Sequence, residues 1–212
     1  HTMNVGIVIL SSGIMGESFV RFEVDIGLRR LKEYGLNVKF MPNALKGIDY
    51  IKAHPEKRAQ DLLEALSDPE IDMILCAIGG DDTYRLLPYL FDHDELANAV
   101  TDTIFLGFSD TTINHFMLHK VGLRTFYGQA FLPDICELSQ EMHPYTRKYF
   151  EELIDQMKAA RGVKQDVELT AEDMEPDRIE DIVYNCLDFC ELNELTPHFC
   201  LLADVDTSTL WP

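Results

Sequence analysis

Short apolar runs separated by amphipathic stretches constrain this chain more than any other feature. "VGIVIL" (5–10) is a continuous apolar run rich in β-branched residues, the pattern of a strand buried on both faces. "LNVKFM" (36–41), "IDMILCAI" (71–78), "TDTIFLG" (101–107) and the shorter "LRTFYG" (123–128) repeat the signal. Between them the period becomes helical. Phe19, Phe22, Ile26, Leu28 and Leu31 recur along a stretch from 17 to about 34, which Gly35 closes. "HPEKRAQDLLEAL" carries a proline in its first turn, and a further helix follows over about 110–120.

Strands alternating with helices at this spacing predict an α/β fold: a mostly parallel sheet flanked by helices, with a short or incomplete second domain. In such sheets the chemistry gathers outside the carboxyl ends of the strands. The loops "SSGIMGE", "IGGDDT" and "GFSDTT" are therefore the candidate site. After about residue 150 the pattern loosens. "YTRKYFEELIDQMKAA" reads as a helix, followed by an acidic linker, another helix and a strand at "HFCLLADVD". We divide the chain into an N-terminal α/β domain, 3–138, and a linker with a partial C-terminal domain, 139–212.

Charge and cysteine usage limit the partners. Eighteen basic against 37 acidic residues give a formal charge of −19, which repels phosphate backbones and anionic lipids. Neither nucleic acid nor a membrane surface is expected as partner. The apolar runs are too short to span a bilayer, and no export signal is read at the N-terminus. Five cysteines, an odd number, then fit reduced thiols in the cytoplasm. Cys76 lies in a buried strand and should be inert. Cys186, Cys190, His198 and Cys200 cluster, but "YNCLDFCEL" fits a half-buried helix better than a zinc spacing. His115 and His119 share a helical face, expected to be a surface or interface face, with no third ligand in view. His54 and His143 precede prolines at helix starts. No metal is expected.

Ser109 carries two readings. A serine on a sharp strand-to-helix turn exposes its hydroxyl, with the N–H of the next residue and the helix's positive end facing a developing oxyanion. Gly107 suits that turn, although Thr111 stands where the G-x-S-x-G pattern has its last glycine. Equally, "SDTT" before an apolar helix is a good N-cap. The Gly79-Gly80 pair can bring N–H groups close to an anion or a carbonyl oxygen, or simply make a turn. "GGDDT" also resembles the "GGDGT" segment of phosphofructokinases, NAD kinases and diacylglycerol kinases. A nucleotide-phosphate-binding kinase is one alternative, though Arg85 is the sole nearby base in these loops.

Taken together, "HPEKRAQDLLEALSDPEIDMILCAIGGDDTYRLLPYL", "FLGFSDTTINHFMLHKVGLRTFYGQAF" and "HPYTRKYFEEL" resemble the LD-carboxypeptidase family of serine peptidases, which includes microcin self-immunity proteins. The resemblance covers roughly residues 4–153. It implies Ser109 as nucleophile, with the N–H of Asp110 and one from Gly79 or Gly80 forming the oxyanion hole. It implies hydrolysis of an amide in a murein peptide or a peptide-nucleotide conjugate, no cofactor, and a homodimer. The family's Glu and His, carried by its C-terminal domain, are not matched beyond residue 153. A catalytically incomplete relative acting as a binding or dimerisation module is the other alternative.

Overall fold

The computed structural model describes residues 3–162. Five strands form one sheet: β1 (Met3–Val8), β2 (Leu36–Phe40), β3 (Met73–Cys76), β4 (Ile104–Gly107) and β5 (Phe126–Tyr127). Every pairing is parallel, and the order is β2-β1-β3-β4-β5. Val5 sits opposite Val38 on one side and Met73 on the other, so β1 is an interior strand, paired along both edges. The chain leaves β1 for one edge and returns to β3 beyond it. That reversal is a topological switch point, the place where open parallel sheets commonly bind ligands outside the strands' carboxyl ends.

Period-two alternation sorts the strand side chains onto two faces. Val5, Ile7, Leu75 and Leu106 pack beneath α1 (Arg21–Glu33) and α7 (Pro144–Gly162). Val8, Ile74 and Phe105 point the other way, against α3 (Pro55–Ser67), α4 (Leu87–Phe91), α5 (Glu95–Ala99) and α6 (Thr112–Lys120). Short α2 (Ile48–Ala53) sends Ile51 into the first of these cores. The first compact unit reaches Met157, and Phe150, Leu153 and Ile154 of α7 belong to its core. The expected linker, second helix and strand beyond 162, with the cysteine cluster, lie outside the described residues.

Several expectations need correction. α1 starts at Arg21, after two 3-10 turns at Ile14–Gly16 and Ser18–Val20. Its buried face is Val24, Gly27 and Leu31, while Phe19 and Phe22 are 62% and 56% exposed. Of the residues counted at 17–31, Leu31 is buried and Leu28 packs against the core, whereas Phe19, which precedes the helix, and Phe22, in its first turn, face solvent. Gly35 does close α1, at φ 75, with its N–H donating to Lys32 O. The fifth strand is two residues long, and Phe131–Ile135 form a single π-helical turn with no counterpart in the sequence reading.

That turn is held to α1 by an unusual contact. A Cβ at Gly27 would run into Cys136 Sγ and lie 2.7 Å from Phe131 Cε2, so the helix has a notch there. Three residues on, buried Arg30 donates to the carbonyls of Ile135, Glu137 and Ser139 at 2.7–2.8 Å. These bonds satisfy the carbonyl at the end of the turn, Ile135 O, and two in the loop that follows it.

His115 is buried too, which overturns the surface-face expectation; His119 is exposed as expected. The Nε2 of His115 is 2.9 Å from Gly107 O and its Nδ1 2.7 Å from Thr125 Oγ1. A carbonyl only accepts, so Nε2 carries the proton and Nδ1 accepts from the threonine. The ring fastens α6 to the end of β4. Burial, opposed by the bond to Gly107, lowers its pKa below the ordinary 6.5.

Gly27→Ala should destabilise the fold. Alanine gains about 1 kcal/mol of helix propensity, but overpacking costs about 1–3 kcal/mol. A thermal melt showing an equal or higher Tm would count against the notch. For His115, a folded-state pKa below the unfolded one means stability present above pH ~6.5 and lost as pH falls through it. The stability difference between wild type and His115→Gln should shrink from pH ~7 to pH ~5 in chemical denaturation; a pH-independent difference would refute the assignment.

Candidate active site

Three loops meet at the strands' carboxyl ends: residues 9–13 after β1, 77–82 after β3 and 108–110 after β4. Ser109 stands at the start of a 3-10 turn, Ser109–Thr111, that runs into α6. Its φ is 67, in the left-handed region that side chains other than those of Gly, Asn and Asp seldom occupy. Such strain persists where the surroundings over-determine it, and here they do. Thr111 Oγ1 donates to Phe108 O at 2.8 Å, and Thr112 Oγ1 donates to Ser109 O at 2.6 Å. Ser109 N–H donates to the Tyr127 hydroxyl at 3.3 Å, and that hydroxyl is 3.2 Å from Thr112 Oγ1. Gly107 has no room for a side chain: a Cβ would lie 2.7 Å from Cys76 Sγ and 2.8 Å from Thr111 Oγ1.

The Ser109 side chain is exposed, and its hydrogen bonds among the described residues run through its backbone. No side-chain cap bond closes either the 3-10 turn or α6. The capping alternative therefore has no hydrogen bond behind it. Cys76, beneath the turn, is fully buried, and burial pushes its thiol up to about 12. It is a packing residue, as the sequence suggested.

The glycine pair comes close from the second loop. A Cβ on Gly79 would lie 2.9 Å from Ser109 Cβ, 3.0 Å from its Oγ and 3.2 Å from Asp110 N. A Cβ on Gly80 would collide with Ser11 Oγ and lie 2.8 Å from Ser12 N. Both glycines are therefore required by close backbone approach rather than by a free turn. The structure thus brings Ser109, Asp110, Gly79 and Gly80 together, as the sequence reading grouped them.

Sequence reasoning missed the residues that tie the loops. Ser11 Oγ donates to Asp110 Oδ2 at 2.6 Å, and Thr83 N–H donates to the same oxygen at 2.9 Å. Thr83 Oγ1 donates to Asn114 Oδ1 of α6 at 2.9 Å. Arg58 of α3 is wholly buried, donating to Asp82 Oδ1 at 2.7 Å and to the carbonyls of Leu10 and Ser11. Arg85 lies 3.5 Å from Asp82 Oδ2 and donates to Lys52 O. Ser11 was visible as a small residue in a strand-end loop. Arg58 was not, because one arginine in an amphipathic helix looks like its solvent face.

Arg58 is closed to phosphates, and Arg85, though exposed, is drawn toward Asp82 and Lys52 O. Asp81, Asp82 and Asp110 line the same loops. The phosphate-transfer alternative gains no support from such loops. Among the described residues no group of three or more His, Cys, Asp or Glu is placed to hold a metal ion, and no helix is long and apolar enough to cross a membrane.

Comparison with known proteins gives this arrangement its relatives. A Bacillus subtilis (strain 168) protein named "Probable murein peptide carboxypeptidase" is 33% identical over 136 residues, covering 63% of this chain and 41% of the relative. The Escherichia coli microcin C7 self-immunity protein MccF is 40% identical over 83 residues, covering 39% of this chain and 23% of MccF. Among solved structures, an MccF-like protein from Streptococcus pneumoniae in complex with AMP superposes with a TM-score of 0.72 at 64% identity, covering 73% of this chain and 45% of that one. MccF in complex with aspartyl sulfamoyl adenosine gives a TM-score of 0.57 at 26% identity, covering 72% of this chain and 44% of that one. The chain thus spans less than half the length of these relatives. The sequence profile of the LD-carboxypeptidase N-terminal domain matches residues 5–128. The chain belongs to the LD-carboxypeptidase family.

Proposed function

We propose that this chain carries the nucleophile of a serine-type carboxypeptidase, with Ser109 as the attacking residue. The observation behind the reading is an exposed serine hydroxyl on a left-handed strand-to-helix turn, backed by a glycine that leaves no room for a side chain. In the proposed reaction Ser109 Oγ adds to the carbonyl carbon of an amide as its proton passes to a base. The carbonyl oxygen becomes an oxyanion and accepts from Asp110 N–H and an N–H of the Gly79-Gly80 turn. The C–N bond then breaks, and the amine leaves with a proton. Water hydrolyses the acyl-serine, releasing the carboxylate and restoring the hydroxyl.

An unassisted serine is a weak nucleophile near neutral pH. The base and its orienting acid are assigned to residues outside those described, following the family's division of its Glu and His from its serine. The preferred substrate class is an amide beside a carboxylate-bearing residue, in a murein peptide or an aminoacyl-nucleotide conjugate. The second form has support from the ligands named for the related structures, AMP and aspartyl sulfamoyl adenosine. We place the protein in the cytoplasm as a homodimer, with the second domain beginning after Met157 rather than at 139, since α7 lends Phe150, Leu153 and Ile154 to the first core.

The reading is tested by a fluorophosphonate probe, with the modified residue located by mass spectrometry. Labelling of wild type and none of Ser109→Ala is the expected outcome; labelling that survives in Ser109→Ala removes the assignment. Ser109→Ala and Ser109→Gly both lack the hydroxyl, but only glycine relieves the left-handed backbone. The glycine variant should be more stable than the alanine variant by about 1 kcal/mol, read from urea midpoints. Equal stability of the two would show that the turn stores no strain.

A further inference from the structure

On the reading of Ser109 as nucleophile, we propose that Ser11 and the Asp110 carboxylate form a positioning clamp that sets the Gly80 N–H against the serine. Three loops far apart in sequence converge on this pair. Ser11 is 2% exposed at the end of β1, and its hydroxyl donates to Asp110 Oδ2 across 99 residues of chain. Thr83 N–H reaches the same oxygen from the glycine loop, and Asp82 N–H points at Ser11 Oγ from 3.5 Å. One carboxylate oxygen thus holds the first loop and the second loop to the residue that follows Ser109.

The clamp acts on a defined peptide plane. Ser12 N–H donates to Gly79 O at 3.1 Å, and the described peptide bonds are all trans. In a trans peptide the C=O and the N–H point in opposite directions. Fixing the Gly79 carbonyl on Ser12 therefore turns the Gly80 N–H away from the first loop. The glycine pair cannot shift toward Ser11, because the Gly80 backbone already touches its hydroxyl closely enough to exclude a Cβ. Nor can it shift from Ser109, since Thr83 is anchored on both Asp110 and Asn114. The nucleophile's turn and the proposed oxyanion donor are thereby one rigid unit. Asp110 has two separate tasks, its N–H directed to the oxyanion and its carboxylate to the loops. Neither Ser11 nor the Asp110 carboxylate touches the reacting atoms in this scheme, so both are positioning residues.

The test uses Ser11→Ala and Asp110→Asn in the 212-residue chain, with two readouts. One is the amide resonances and hydrogen exchange of Gly80 and Thr83 by NMR. The other is fluorophosphonate labelling of Ser109, separated into the maximal rate and the half-saturating probe concentration. Both variants should move the Gly80 resonance and speed exchange of the Thr83 amide. The maximal labelling rate should fall on the order of 10-fold to 100-fold, the scale of a 1 Å misplacement, with the half-saturating concentration unchanged. A purely structural role would lower Tm and leave that split untouched. Unmoved Gly80 and Thr83 amides in both variants overturn the clamp whatever the labelling shows. Labelling that is independent of Ser109 overturns the nucleophile reading instead, while the amides still decide the clamp. Should Asp110→Asn fail to fold, Ser11→Ala, which removes a single oxygen, carries the same measurement.

Discussion

A wholly buried guanidinium organises the active end of this sheet. Arg58 projects from α3 beneath the loops and spends its donors on Asp82 and on two carbonyls at the end of β1. An arginine does not deprotonate in a protein, so its charge must be matched where it lies. Asp82 supplies that match with a two-pronged contact at 2.7 and 3.2 Å. Arg58 Nε is buried without a partner among the described residues, a cost in desolvation to set against those bonds. Breaking such a pair from one side typically costs about 3–5 kcal/mol. The ion pair also fixes which way the glycine loop leaves β3, since Asp82 directly follows "GGD".

From that anchor the site is built in layers. Arg58 joins the first loop to the second, Ser11 and Thr83 join both to Asp110, and Tyr127 supports Ser109 from the edge of the sheet. Each joint is polar and reaches between loops beyond the last paired residues of the strands, where the ladder itself no longer holds the chain. An acidic chain is compatible with this arrangement because Arg58 and Arg30, the buried arginines among the described residues, are both consumed internally.

Much of the fold was legible because strands buried on both faces write themselves as unbroken apolar runs. "VGIVIL" and "IDMILCAI" needed no periodicity to be recognised. The candidate loops followed from the parallel order, and Gly79, Ser109 and Asp110, which the family resemblance grouped, lie close together in the fold. What stayed hidden depended on contacts between distant segments. Phe19 and Phe22 look like core residues until the 3-10 turns before α1 set the phase of the helix. His115 looks like a surface residue until Gly107 O and Thr125 are brought to its two nitrogens. The roles of Ser11, Arg58 and Tyr127 are set by partners 18 to 99 positions away, and no local pattern encodes those.

The interior place of β1 bears on how the chain folds. Its partner β2 begins at Leu36, and its other partner, β3, at Met73. The "VGIVIL" segment is therefore synthesised well before either neighbour can cover it, and its second edge closes only after two crossovers have formed. Parallel pairings with such long separations are slow to form, and an uncovered apolar strand is a hazard for aggregation in the interval. On the ribosome, the wait for Met73–Cys76 to emerge is the stretch during which this protein depends most on being shielded from its own copies.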